Sequence, residues 1–371
     1  MEQSMSVTVG VDTHSDAHVG VALDRLGRRL GEVAVPNDES GYRSLLRWAR
    51  GFGEPACFGI EGTGSYGAGL SRFLRSRNLR VVEVNRTSRQ HRWKHGKHDA
   101  GDAEAAARVV LSGEASGEPK AADGRVEMLR ALKIARRSAV KAKTQAANQL
   151  HALVSTAPEP LKACLCRLTA AKLAEKVSRF RCGSELADPT AGTKFALRSV
   201  ARRYVALAEE IADLDEQIAR LVKQASPSLV ELDGVGSDTA ATLLIVAGDN
   251  PERLRNEGAF AHLCGTAPIP ASSGKVVRHR LNPNGNREAN RALYVVTLNR
   301  MRRDPRTQAY VVRRTAEGKS KKEVMRCLKR YIAREIYQVL VTQPIQDPSR
   351  AACPGPARAF RSKTKAGLSA R

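Results

Sequence analysis

Aromatic residues are scarce in this chain: Phe, Trp and Tyr make up 4% of its 371 residues. A surface that grips nucleobases by stacking needs such rings in number, so contacts to a charged backbone are the favoured mode for any polyanion bound here. Cysteine is limited to seven, an odd number with no C-x-x-C pair, which argues against a disulfide framework and against a zinc ribbon. Cys164 and Cys166 are expected to pack within a helix. No apolar run approaches the ~18 residues of a membrane span, and the first residues enter a strand-like pattern instead of a signal peptide. A cytoplasmic protein without a membrane partner is expected. Acids are in deficit, with 38 Asp+Glu against 62 Lys+Arg and a net charge of +24. That excess points to a polyanion, nucleic acid first.

What is present divides into segments. The length allows two or three domains. Residues 6–12, 18–24 and 29–36 alternate or run β-branched between short turns and predict an antiparallel meander. A helix over 40–51, a strand over 57–60 ending at Glu61, a helix over 66–77, a strand over 80–84 and a helix over 99–111 follow. The order βββ-α-β-α-β-α is that of the ribonuclease-H-like nucleases. The fold class expected is α/β plus α: an RNase-H/RuvC-like mixed sheet over 1–124, a helical coiled-coil middle over 125–225, a mainly helical C-terminal domain over 226–343, and a disordered basic tail over 344–371.

In the middle region, Leu129, Leu132, Ala135 and Ala139 share one side of a basic helix whose Arg136, Arg137, Lys141 and Lys143 are either solvated or set to track phosphates. Leu197, Val200, Tyr204, Leu207, Ile211, Leu214, Ile218 and Leu221 alternate spacings of three and four. This heptad seam fits self-association or packing within one chain, and self-association is placed slightly ahead. Leu232-Asp233-Gly234-Val235-Gly236 before an alanine-rich helix reads as a helix-hairpin-helix-like motif whose N–H groups can meet a phosphate, or as an ordinary glycine turn.

Four acids stand out by context. Asp12 and Glu61 end strands, while Asp99 and Asp102 open the helix over 99–111, three residues apart on one face. The pair has a plain explanation, since acids in a first turn complement the helix dipole. Arg86, Arg89, His91, Arg92, Lys94, His95 and Lys97 precede it. In a ribonuclease-H-like sheet all four acids converge, and carboxylates so gathered repel one another unless divalent cations neutralise them; hard oxygen donors suit Mg²⁺.

At these residues the sequence resembles the DEDD transposases of the insertion-sequence family "one-ten", related to the pilin-gene invertases and also called bridge recombinases. The resemblance runs from about Val7 to Tyr337. It is carried by Val9-Gly10-Val11-Asp12, by Glu61-Gly62-Thr63-Gly64-Ser65-Tyr66 and by Lys97-His98-Asp99-Ala100-Gly101-Asp102-Ala103. In the C-terminal half it rests on Leu232-Asp233-Gly234-Val235-Gly236, Ser273-Gly274-Lys275, Gly285-Asn286-Arg287 and Ala292-Leu293. The chain departs from the family pattern at His98, at Arg86-Thr87 and at Ala289-Asn290, where a threonine, a proline-containing turn and a leucine-arginine pair are usual.

The resemblance implies a RuvC-like domain whose Asp12, Glu61, Asp99 and Asp102 bind Mg²⁺, and a C-terminal domain supplying a serine nucleophile, Ser273, with Ser272 as the alternative. It implies strand cleavage through a transient phosphoserine, exchange and rejoining, at a site built from two domains and two subunits of a dimer or tetramer. The partners implied are DNA at element ends and target, and a non-coding guide RNA. Two other readings stand beside it: a RuvC/RNase-H-like nuclease using water, which leaves the Ser273 loop unexplained, and a non-catalytic nucleic-acid-binding protein whose acids are structural.

Overall fold

The first three strands are β1 (Ser6–Thr13), β2 (Ala17–Leu23) and β3 (Arg29–Pro36). They form an antiparallel meander, as their alternation and short turns dictate. The computed structural model describes residues 6–84, 98–115, 117–182, 186, 188–272, 279–280, 282–283 and 285–343. Helix α1 (Glu39–Arg50) leads to β4 (Glu54–Glu61), and α2 (Ala68–Arg75) to β5 (Val81–Val84). Both of these strands enter parallel, giving a five-stranded mixed sheet in the order β3-β2-β1-β4-β5.

The central strand is covered on both faces. Val7, Val9 and Val11 pack with Leu45, Phe58, Leu70 and Leu74 beneath α1 and α2. On the other face lies α3 (Asp99–Leu111), whose Ala103 and Ala107 meet Val21 and Leu23 while Ala106 meets Cys57, Val82 and Val84. Its bounds are those expected from the alanine run. The strand expected over 57–60 begins three residues earlier, and the helix expected over 66–77 is shorter at both ends.

Two long helices follow, α4 (Arg125–Ser155) and α7 (Pro189–Ala225), with α5 (Glu159–Leu165) and α6 (Ala170–Ser178) between them. They pair antiparallel. At one end Leu150, Val154, Leu165, Leu173, Leu197 and Ala201 close a small core. At the other, Val126, Leu129, Ile218 and Val222 join the core of the C-terminal half. The heptad seam of α7 is therefore occupied by α4 of the same chain. Ala135, expected on the packed side of α4, is exposed. Arg136 takes the inward position, pairing with Asp215 and, at 3.4 Å, with Asp238. Arg137 pairs with Glu288 and Lys143 lies over the Tyr204 ring, so much of the basic face expected to track phosphates is engaged within the chain. Cys164 and Cys166 are exposed free thiols, and it is Leu161 and Leu165 that pack.

The C-terminal half contains α8 (Pro227–Glu231), α9 (Ser237–Ala247), α10 (Glu257–Leu263), a two-residue ribbon of β6 (Ile269–Pro270) and β7 (His279–Arg280), then α11 (Arg287–Arg303), α12 (Pro305–Ala316) and α13 (Lys321–Thr342). Two buried residues tie the exit of the sheet to this half. Asn250 accepts from the Ala121 N–H (2.8 Å) and donates to the Pro119 carbonyl (3.0 Å). Asp249 accepts from the Val126 N–H (2.8 Å), satisfying an N–H in the first turn of α4.

Candidate functional site

The face of the sheet under α3 carries the candidate acids. Gly10 and Gly59 are register partners on β1 and β4. A β-carbon at Gly10 would lie 1.9 Å from the Ala103 carbonyl oxygen, and one at Gly59 would lie 3.0 Å from that of Ala106. The absence of both side chains lets the alanine face of α3 rest directly on the two strands. Side chains alternate along a strand, so the residues two further on, Asp12 and Glu61, stand on this same face. They follow directly after the Val11–Ile60 pair, and the Thr13 hydroxyl donates to the Glu61 carbonyl (2.8 Å). The close seat of α3 brings its first turn, with Asp99 and Asp102, to the end of β1.

There Asp12, His14 and Asp99 converge, one donor atom from each lying within 4.8 Å of the others. His14 Nε2 is 3.1 Å from Asp12 Oδ2 and 3.5 Å from Asp99 Oδ1. Asp12 is nearly buried, with its side chain 11% exposed, whereas Asp99 is half exposed. Burial pushes the Asp12 carboxyl above the ordinary carboxylate range; His14 opposes that rise, and the negative charges of Asp102 and Asp99 add to it. Charge repulsion thus couples Asp12 to both acids of the helix. Asp102 and Glu61 lie outside the tightest group of donors: Asp102 stands one helical turn after Asp99 and its charge acts on Asp12, and Glu61 ends the neighbouring strand. Two carboxylates and an imidazole nitrogen gathered this closely fit a divalent cation.

Ser273 lies outside the described residues, as do Gly274 and Lys275. Ser272 is exposed, two residues after β6. The base of this segment is firmly built. A β-carbon at Gly285 would meet the Gly265 α-carbon at 2.1 Å, so two backbones touch where only glycine fits. Asn286 then caps α11, accepting from the Ala289 N–H (3.0 Å). Asn290, one of the departures from the family pattern, donates to the carbonyls of Cys264 (3.1 Å) and Gly265 (2.9 Å) and accepts from the buried Lys329 Nζ (2.9 Å).

Beside the ribbon opens a cleft of about 620 Å³. Its walls include His279, Arg280, Lys319, Arg326, Arg330 and Arg334, with Tyr331 exposed among them. The turn at Gly234, between α8 and α9, is docked on α11, where Arg300 donates to the Asp233 carbonyl (2.7 Å).

A family profile of DEDD transposases of the IS110 group matches residues 9–157. A second, described as the transposase IS116/IS110/IS902 family, matches residues 227–312. The chain belongs to the IS110 family of transposases. Among its relatives, the uncharacterized 43.6 kDa protein of insertion element IS110 from Streptomyces coelicolor is 33% identical over 136 residues, 36% of this chain and 33% of that protein. The mini-circle protein assigned as a transposase for IS117, from the same organism, is 24% identical over 410 residues, covering 95% of this chain and 98% of the relative. The 42 kDa protein of IS900 from Mycobacterium paratuberculosis is 25% identical over 153 residues, 40% and 38% of the two chains. The chain thus spans about a third of the length of the first and third relatives, and nearly all of the second.

The first IS110-family match takes in Asp12, Glu61, Asp99 and Asp102; the second takes in Ser272, Ser273 and the Gly285 turn. The cleft arginines of α13 lie beyond both. Sequence reasoning passed over them and over His14. Each had a signal: Arg326, Arg330 and Arg334 recur every four residues, and His14 follows Asp12 by two in an extended stretch. Among the described residues no helix is long and apolar enough to cross a membrane.

Proposed function

We propose that this transposase cleaves and rejoins DNA strands, with Asp12, Glu61, Asp99 and Asp102 holding Mg²⁺ and Ser273, or its neighbour Ser272, as the nucleophile. The observation that carries this reading is the convergence of Asp12 and Asp99 beneath a helix seated on Gly10 and Gly59. The bound cation supplies charge neutralisation at the scissile phosphate and Lewis-acid activation. The serine oxygen attacks phosphorus, a P–O bond to the serine forms, and the P–O bond to the leaving sugar oxygen breaks as that oxygen takes up a proton. Rejoining is the same exchange with another strand's hydroxyl attacking and the serine oxygen leaving, so no external energy source is required. Asp12, on the rigid central strand, and Asp99 and Asp102, on the helix, fix where the phosphate sits.

The acids lie on the N-terminal sheet and its covering helix, whereas Ser272 follows β6 in the C-terminal half, which favours a site completed between copies in a dimer or tetramer. The basic cleft beside the ribbon suits a phosphate backbone, and the turn at Gly234 suits a further one. The excess positive charge with few aromatic residues accords with a guide RNA that does the base reading while the protein holds backbone.

The test is a cleavage assay on supercoiled DNA with the RNA transcribed beside the gene, read by trapping of a covalent protein–DNA adduct. Asp102→Ala should abolish adduct and cleavage while leaving binding largely intact. Ser273→Ala, or Ser273→Ala with Ser272→Ala, should abolish the adduct. Full-rate cleavage by the double serine variant would overturn the serine mechanism.

A further inference from the structure

We infer that His14 is itself a metal ligand, so that the ion at Asp12 and Asp99 is held by a mixed nitrogen and oxygen set and the site favours Mn²⁺ over Mg²⁺. The inference rests on the metal-dependent reading given above and adds a residue outside the four acids to it.

The geometry points there in three ways. First, the Nε2 of His14 faces both carboxylates, at 3.1 Å from Asp12 and 3.5 Å from Asp99. Ligands about 2.1–2.2 Å from one ion and at right angles to each other are separated by about 3 Å, so these spacings are those of neighbouring ligands around a single cation. Second, the main chain that carries the imidazole is fixed: the His14 N–H donates to the Ala17 carbonyl (3.1 Å), and the His14 carbonyl accepts from the Asn37 side chain (3.2 Å). Third, the donors divide between a strand end and a helix start, so closing the set around an ion requires side-chain adjustment alone. Carboxylate and water donors suit both Mg²⁺ and Mn²⁺, and putting the softer imidazole nitrogen in place of one oxygen weakens the hold on Mg²⁺ more than on Mn²⁺, a transition-metal ion.

The alternative role for His14 is that of a cation balancing two carboxylates. The two roles differ in sign. Removing a ligand weakens metal binding, whereas removing a competing positive charge strengthens it.

The experiment uses the full chain and Mn²⁺ itself. Binding is followed by loss of the free-ion electron paramagnetic resonance signal, and the bound ion is examined by electron spin echo modulation for nitrogen. The wild type should bind Mn²⁺ with imidazole-nitrogen modulation. His14→Ala and His14→Gln, checked for folding by circular dichroism, should lose the modulation and bind Mn²⁺ about tenfold or more weakly, with a smaller change in Mg²⁺ affinity measured by competition. Bound Mn²⁺ without nitrogen modulation, or unchanged or tighter binding in both variants, would overturn the role of His14. If in that case Asp12→Asn and Asp99→Asn still abolish binding, the acid-held metal site stands and only the histidine ligand fails. A folded wild type that binds no Mn²⁺ and no Mg²⁺ would overturn both.

Discussion

The backbone of Ala103 rests on Gly10 so closely that a β-carbon at position 10 would stand 1.9 Å from the Ala103 carbonyl oxygen. Backbone cannot yield as a flexible side chain can, so Gly10→Ala must lift α3 off the sheet. Overfilling a packed interface costs about 1–3 kcal/mol. Both the urea midpoint and Mn²⁺ affinity should fall together, because Asp99 and Asp102 ride on the displaced helix. Gly59→Ala should be milder, since its nearest obstacle is the Val110 side chain. A Gly10→Ala protein with native midpoint and native metal affinity would disprove the seat.

Asn290 and Lys329 form a second testable pair. Asn290→Leu leaves the buried ammonium of Lys329 without its acceptor and two carbonyls of the Gly265 turn without their donor. The expected loss is about 2–4 kcal/mol in denaturant titration. Adding Lys329→Met removes the stranded charge and should restore part of that loss. If the double variant is no more stable than the single one, the charge is not what the amide satisfies.

Stability should also carry a pH signature from His18. The ring is fully buried and stacked on Tyr42, and burial pushes its pKa below the ordinary value of 6.5. The folded state therefore binds the proton more weakly than the unfolded chain. The stabilisation is complete above the unfolded pKa and is lost as pH falls through it toward the lower folded value. Thermal midpoints measured across pH 8 to pH 5 should decline, and His18→Phe, which keeps the stack, should flatten the decline.

Nucleic-acid affinity should depend on the cleft beside the ribbon. Arg280→Ala and Arg326→Ala each remove one cation from its wall. Each should weaken binding of unrelated sequences to a similar degree and reduce the slope of log affinity against log salt by about 1. Unchanged salt slopes in both variants would place the nucleic acid elsewhere.

Much of the N-terminal fold was legible because its signals are local. Alternation marked β1, β2 and β3, and the alanine run with two leading acids marked α3 to the residue. The association of Asp12 with Asp99 was legible only as a resemblance, since it depends on the absent side chains at Gly10 and Gly59, and sequence spacing across 87 residues carries no contact information. A heptad seam reveals a period and leaves its partner open; here α4 of the same chain takes it. Arg136 and Arg137 read as free cations because their acids, Asp215 and Glu288, lie 79 and 151 residues away. His14 carried one local signal, its spacing of two from Asp12 in an extended stretch, and nothing in the sequence tied it to Asp99. Ser273 and the tail over 344–371 lie outside the described residues.

The antiparallel pair α4 and α7 has a mechanical consequence. Between its two end cores the buried contacts narrow to Ala139, Ala146 and Ile211, over helices that rise about 1.5 Å per residue. Little buried apolar area couples the far end to the sheet that carries Asp12, so the cap of α5 and α6 should open as its own cooperative unit. Its amides should exchange with solvent at a free energy of opening separate from that of the sheet. A load applied to the tip would be borne by the stalk before Asp12 and Asp99 were disturbed.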